Sequence, residues 1–135
     1  MVHRTTIPVR FAELDPYGHV NHAVYLTYFE VGRTEALEAC GVDLAGLADD
    51  GYQLVVTRLE VDYHRPAGPG LRLEVETGLA ELRRASGRWR QRILGDGELL
   101  VAADVTAAVT GRDGRPTRPP PELFPALRPL LDWET

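Results

Sequence analysis

Apolar and polar residues alternate with a period of two along five stretches of the chain, and that spacing predicts five β-strands. The first stretch is 4–11, where Ile7, Val9 and Phe11 alternate with polar neighbours or Pro8. Proline has no N–H to give a ladder, so Pro8 points to a sheet edge or an irregular start. The others are 52–64, 71–83, 87–94 and 98–110. Within 52–64, Leu59, Val61 and Tyr63 share one face, while Arg58, Glu60, Asp62 and His64 share the other. Within 71–83, Leu71, Leu73 and Val75 alternate with Arg72, Glu74 and Glu76, and within 87–94 Arg88, Arg90 and Arg92 alternate with Trp89, Gln91 and Ile93. The breakers "HRPAGPG", "RASG" and "GRDGRP" separate these runs, and Gly95-Asp96-Gly97 reads as a tight hairpin.

Between the first two strands the pattern changes to a helical one. Asn21 is a good N-cap, and the helix it predicts runs to Cys40, where Gly41 suits a left-handed C-cap. At ~1.5 Å per residue it is roughly 27 Å long. Its first half is apolar nearly all round (Ala23, Val24, Tyr25, Leu26, Tyr28, Phe29, Val31), which predicts a wrapped helix. Arg33, Glu35 and Glu38 bring the second half towards the surface. Residues 43–50 read as a short connection with one helical turn. The proline-rich tail, 116–135, carries Leu123, Phe124, Leu127, Leu130 and Leu131, which suit a short capping helix or an arm.

One strand, one long helix and four meander strands make an α+β chain. The economical packing is an antiparallel sheet of about five strands around a single central helix. Five strands cannot enclose such a helix on all sides. The leftover apolar surface and an open edge strand predict a homodimer joined sheet edge to sheet edge, or a dimer of such dimers.

The chain has 135 residues, one domain's worth, and 44% of them are apolar, enough for a core. Its net charge of −5 argues against non-specific nucleic-acid binding, although every one of its 15 basic residues is arginine. The one cysteine, Cys40, fits a small buried hydrophobe in a reducing compartment. The N-terminus alternates and carries no apolar signal region, and no stretch approaches the ~20 apolar residues of a membrane span. These features predict a cytoplasmic protein without a membrane partner.

The chemistry is crowded ahead of the helix, in "LDPYGHVNHAVY". Asp15-Pro16-Tyr17-Gly18 has turn composition, and an Asp there ordinarily hydrogen-bonds its own backbone. A helix N-terminus offers free N–H groups and the positive end of a dipole. A carboxylate brought to that mouth is a pairing suited to acyl transfer, which needs an attacking or base group and a site for an oxyanion. The histidines and cysteine have no metal-ligand spacing, and no glycine-rich phosphate loop follows a strand.

The stretch "RFAELDPYGHVNHAVYLTYFEVGRTEAL" resembles the signature of the 4-hydroxybenzoyl-CoA thioesterase-like family of hotdog-fold acyl-CoA thioesterases, with Asp15, Gly18, His19, Val20, Asn21, Tyr25, Phe29, Arg33 and Glu35 filling its pattern. "VDYHRPAGPGLRLEVET" resembles the family's second segment, with Gly70-Leu71 where the family has Gly-Asp. The likeness spans roughly residues 5–110. It implies the hotdog fold, an acyl-CoA substrate and no cofactor, coenzyme A being part of the substrate. It implies Asp15 as the catalytic carboxylate, either nucleophile or general base, with the backbone N–H near His22 polarising the thioester carbonyl. The side chain of His22 matches a histidine in the Tol-Pal-associated branch and is a candidate for proton transfer, packing and capping being its other reading.

Tyr17 and Tyr25 are expected as pocket walls, Gly18 and Asn21 as shapers of the loop and helix start, and His19 as a loop support or a substrate contact. Arg65 is the candidate for the coenzyme A phosphates, whereas Arg88, Arg90 and Arg92 read as a solvated sheet face. Acyl-carrier protein is an alternative thiol carrier. Two other functions use the same residue types: a hotdog hydratase or dehydratase acting on acyl-thioesters, and a non-catalytic acyl-thioester-binding module.

Overall fold

Pairing of the alternating stretches generates one antiparallel sheet. In the computed structural model, which describes residues 1–131 and 133, the strands are β1 (His3–Pro8), β2 (Gln53–Tyr63), β3 (Arg72–Leu82), β4 (Ser86–Gly95) and β5 (Glu98–Thr110), in the order β1-β3-β4-β5-β2. β1 and β2 are therefore the two edges, as Pro8 requires of β1. Asp96 (φ 50°) and Gly97 (φ 78°) form the β4–β5 hairpin, whose left-handed backbone a Gly accepts at no steric cost.

Three helices accompany the sheet: α1 (Val24–Ala39), α2 (Leu44–Asp49) and α3 (Leu123–Leu127). α1, of 16 residues, lies on β3 and β1 through Tyr25, Tyr28, Phe29, Gly32, Ala36 and Leu37, all buried. Beneath it Gln91, fully buried, donates to Phe29 O (2.9 Å) and Thr77 Oγ1 (3.0 Å) and accepts from Arg33 Nη1 (3.0 Å). A buried amide left unpaired would be costly, so this pairing fixes the helix on the sheet. The helix ends as expected: Gly41 (φ 81°) donates to Glu38 O and Val42 to Leu37 O, a Schellman arrangement. Cys40 is half-buried and burial pushes its thiol pKa up, as suits a small hydrophobe.

Three expectations need correction. Phe11 does not extend β1; it lies in a 3-10 turn (Phe11–Glu13) and is 91% exposed. α1 begins at Val24, because Asn21 caps a turn that precedes the helix. And α1 is not wrapped all round: Thr27, Glu30 and Val31 face outward. The apolar surface left open continues on β2, where Val55, Val56, Leu59 and Tyr63 are exposed.

The tail closes over the end of α1 through Leu123, Leu127 and Leu130, and Trp133 lies under Arg92 (4.8 Å) on the opposite sheet face. Positions 132, 134 and 135 of the predicted capping segment lie outside the described residues. Among the described residues no helix is long and apolar enough to cross a membrane.

Candidate active site

The loop between β1 and α1 is closed on itself. Its 3-10 turn starts with a capping box, in which Arg10 N–H donates to the Glu13 side chain. Leu14 then bridges Val20, and Asn21 N–H donates to Glu13 O (2.9 Å). At the tip Gly18 takes φ 76°, in the left-handed region that glycine tolerates. Asp15 Oδ1 accepts from Tyr17 N–H (2.8 Å) and His19 N–H (3.1 Å). The side chain thus does form the turn its sequence predicts. Oδ2 accepts no hydrogen bond from the described residues.

Asn21 occupies the next turn. Its Oδ1 accepts from Ala23 N–H and its backbone O from Val24 N–H, each at 2.9 Å. Among the described residues the N–H of His22 has no acceptor. Of the N–H groups expected at this mouth, from His22 to Val24, Asn21 therefore occupies two and leaves the one at His22.

A second segment, 63–67, is stitched to this loop. Val20 N–H donates to Ala67 O (2.9 Å), Ala67 N–H to Tyr25 Oη (3.1 Å), and Tyr63 Oη–H to His22 O (2.7 Å). The Tyr25 and Tyr63 rings meet edge to face, 5.7 Å apart. Burial holds both phenols protonated, with their pKa values raised; for Tyr25 it outweighs the opposing hydrogen bond from Ala67, and neighbouring Tyr63 and Asp15 add to it.

Loop, helix start and the end of β2 line an open cavity of about 310 Å³, onto which Asp15, His19, His22, Tyr25, Tyr63, His64 and Arg65 open. Of the residues singled out in the sequence, Asp15, His19, His22, Tyr25 and Arg65 converge here. Tyr17 does not: it is 84% exposed, and only its N–H takes part, on Asp15. Gly18 and Asn21 shape the loop without lining the cavity. Arg65 stands on the rim, paired with Glu98 (3.0 Å), both largely exposed. Arg88, Arg90 and Arg92 are engaged instead on the sheet face away from the helix, with Glu81, Asp104 and Glu76.

Sequence reasoning missed Tyr63 and His64 on the cavity wall. Tyr63 and His64 stand directly before Arg65 in the second family-like segment, so their signal was adjacency, hidden by the ordinary strand alternation around them.

A five-stranded antiparallel sheet with few helices is shared with solved thioesterase structures of the hotdog type. The chain belongs to the thioesterase-like superfamily, whose sequence model matches residues 9–127. It is 31% identical over 103 residues to the acyl-CoA thioester hydrolase YbgC of Escherichia coli (76% of this chain, 77% of YbgC). It is also 31% identical over 120 residues to the chloroplastic acyl-acyl carrier protein thioesterase ATL2 of Arabidopsis thaliana, covering 87% of this chain. The chain spans 64% of ATL2's length and 41% of ATL3's, a second such thioesterase of that plant. Among solved structures, a Thermus thermophilus thioesterase complexed with coenzyme A and Zn superposes with TM-score 0.82 at 32% identity, covering 95% of this chain and 92% of that one.

Proposed function

We propose that the protein hydrolyses an acyl-CoA thioester to the free acid and coenzyme A in this cavity. The observation that carries the reading is that Asp15 and His22, whose N–H is unpaired among the described residues, line one cavity at a helix mouth. A thioester carbonyl oxygen directed at that N–H gains its strongest hydrogen bond as it becomes an oxyanion. Asp15, held through Oδ1, presents Oδ2. In one course Oδ2 takes a proton from water as the water oxygen attacks the carbonyl. In the other it attacks the carbonyl itself, and water then cleaves the resulting anhydride. Either way the C–S bond breaks and coenzyme A departs as its thiolate, the proton lost by water passing to it or to solvent by way of the His22 imidazole. A thioester is already activated, so this chemistry asks for no cofactor.

Arg65 is the residue proposed to meet a phosphate of coenzyme A. Its exposed pair with Glu98 contributes at most about 1 kcal/mol, so a phosphate displaces Glu98 at little cost. The open β2 edge and the exposed apolar residues beside it support a homodimer. YbgC's and ATL2's names put acyl-CoA and acyl-carrier-protein substrates side by side, so both belong in the assay.

The deciding experiment is thiol release from a panel of acyl-CoAs and acyl-carrier proteins, by wild type and Asp15→Asn. Asn keeps an Oδ1 to accept the Tyr17 and His19 N–H bonds, so the loop folds. Turnover should fall by at least ~100-fold, the scale of losing a central catalytic group. Wild-type turnover in that variant overturns the role of Asp15. Interconversion of enoyl and hydroxyacyl thioesters without thiol release would point to the hydratase reading instead.

A further inference from the structure

We propose that Glu13 is a positioning residue, which latches the loop bearing Asp15 and the turn bearing His22 to helix α1 through Tyr28. The inference rests on the chemistry assigned above to Asp15 and the His22 N–H.

Glu13 does not open onto the cavity, yet its side chain is only 12% exposed. Three donors hold it: Tyr28 Oη–H on Oε1 (2.7 Å), Arg10 N–H on Oε1 (2.8 Å) and Arg10 Nη2 on Oε2 (3.3 Å). The Arg10 contacts are local and belong to the capping box. The Tyr28 bond is different, for it reaches fifteen residues along the chain onto a side chain that is 2% exposed. Tyr28 in turn packs edge-on against Tyr25, with ring centroids 6.0 Å apart, and Tyr25 lines the cavity. Hydrogen bonds to an ionised carboxylate are short and strong, which makes this one a firm anchor.

The backbone of the same residue closes the loop. Glu13 O accepts from Asn21 N–H and Leu14 bridges Val20, so residues 13–14 and 20–21 form a clasp beneath Asp15. Asn21 then holds Ala23 and Val24, leaving the His22 N–H aimed outward. Both reacting groups hang from this clasp, Asp15 two residues after Glu13 and His22 one residue after Asn21. Among the described residues, only the Tyr28 bond ties the Glu13 carboxylate to α1. A shift of about 1 Å at reacting groups costs up to ~100-fold in rate, so a clasp that has lost its side-chain tie to Tyr28 lowers turnover while the cavity still binds.

The test compares Tyr28→Phe, Glu13→Met and the double variant; Met leaves position 13 with no acceptor for Tyr28 Oη–H. Tyr28→Phe keeps the ring and removes one hydroxyl, so the core stays packed. Turnover and KM are measured on one acyl-CoA by thiol release, with hydrogen exchange at residues 15–21 and thermal unfolding alongside. Each single variant should lower kcat by ~10- to 100-fold with KM within ~3-fold, as misplacement predicts. The double variant should be no worse than Glu13→Met alone, because Met has already removed the bond that Tyr28→Phe cuts. Protection of the Asn21 amide should fall. Full kcat with unchanged protection overturns the latch and leaves the Asp15→Asn test standing. Lost protection with full kcat overturns the positioning role, and the Asp15→Asn test still decides the assignment of Asp15. Losses that multiply in the double variant, or that vanish once corrected for folded protein, also overturn the proposal.

Discussion

A methyl group at position 32 would sit 2.7 Å from Thr77 Oγ1 and 2.8 Å from Val75 Cγ1. Glycine is there because α1 closes onto the sheet at that residue. The same approach brings Phe29 O within reach of Gln91, whose amide is buried and depends on that contact. Gly32→Ala therefore forces α1 or the fully buried side chains of Thr77 and Val75 to shift. Overpacking of this kind costs about 1–3 kcal/mol, and urea unfolding should show a loss in that range, against the gain that Gly→Ala gives in an open helix. The sequence offered no sign of this. Gly32 stands in a run of good helix formers, and its need appears only when β3 and β4, forty and more residues later, are laid beneath it. Asp15 is the opposite case. Its neighbours Pro16 and Gly18 already declare the turn, and its hydrogen bonds to Tyr17 and His19 are local.

Elements were legible wherever one period governed them. β2 to β5 fall within a residue or two of their alternating stretches, and in β3, β4 and β5 the apolar face of that alternation is the buried one. Boundaries set by a side chain's particular bond were less so. Asn21 is an N-cap in chemistry, but it caps Ala23 one turn before α1 begins. Half of the site shares that limit. Asp15, His19 and His22 are contiguous, whereas Tyr63 and His64 arrive from the end of β2 only because β2 is the edge strand that ends at the helix mouth. The tie between the loop and α1 also has a pH signature. Burial alone would raise the Glu13 pKa, but bonds from Arg10 N–H, Tyr28 and the Arg10 side chain outweigh it, so the folded pKa lies below the ordinary 4.5. A lowered folded pKa gives stability that is fully present above the unfolded value and lost as pH falls through the folded one. The difference in urea midpoint between wild type and Glu13→Gln should therefore be constant from pH 7 to about 5 and shrink on further acidification. A constant gap down to pH 3 would mean that the charge on Glu13 contributes nothing to the tie.

At the scale of the whole molecule, one edge of the sheet is finished and the other is not. β1 ends at Pro8, and the tail packs beside it. β2 is eleven residues long and carries Val55, Val56, Leu59 and Tyr63, each 40–48% exposed, with Val31 of α1 likewise open at 41%. A long apolar edge of this sort pairs with another chain unless it is blocked. Burying what remains exposed is worth about 1 kcal/mol per side chain, or about 10 kcal/mol for two copies. That is of the same order as the roughly 4–15 kcal/mol that association costs, so backbone bonds between two β2 edges tip the balance. Sedimentation at micromolar concentration should accordingly give twice the 15.0 kDa chain mass, or four times if dimers pair again. Leu59→Glu places a charge on the open apolar face and should shift the protein to monomer. Arg58→Glu changes the charge one residue away, on the opposite face of β2, where Arg58 already pairs with Glu60 (3.1 Å) at the surface, and should leave assembly intact. Because Tyr63 of the same edge holds the His22 carbonyl, the Leu59→Glu monomer should also lose turnover in step with assembly as protein is diluted. A wild-type monomer, or equal behaviour of the two variants, would remove β2 as the contact.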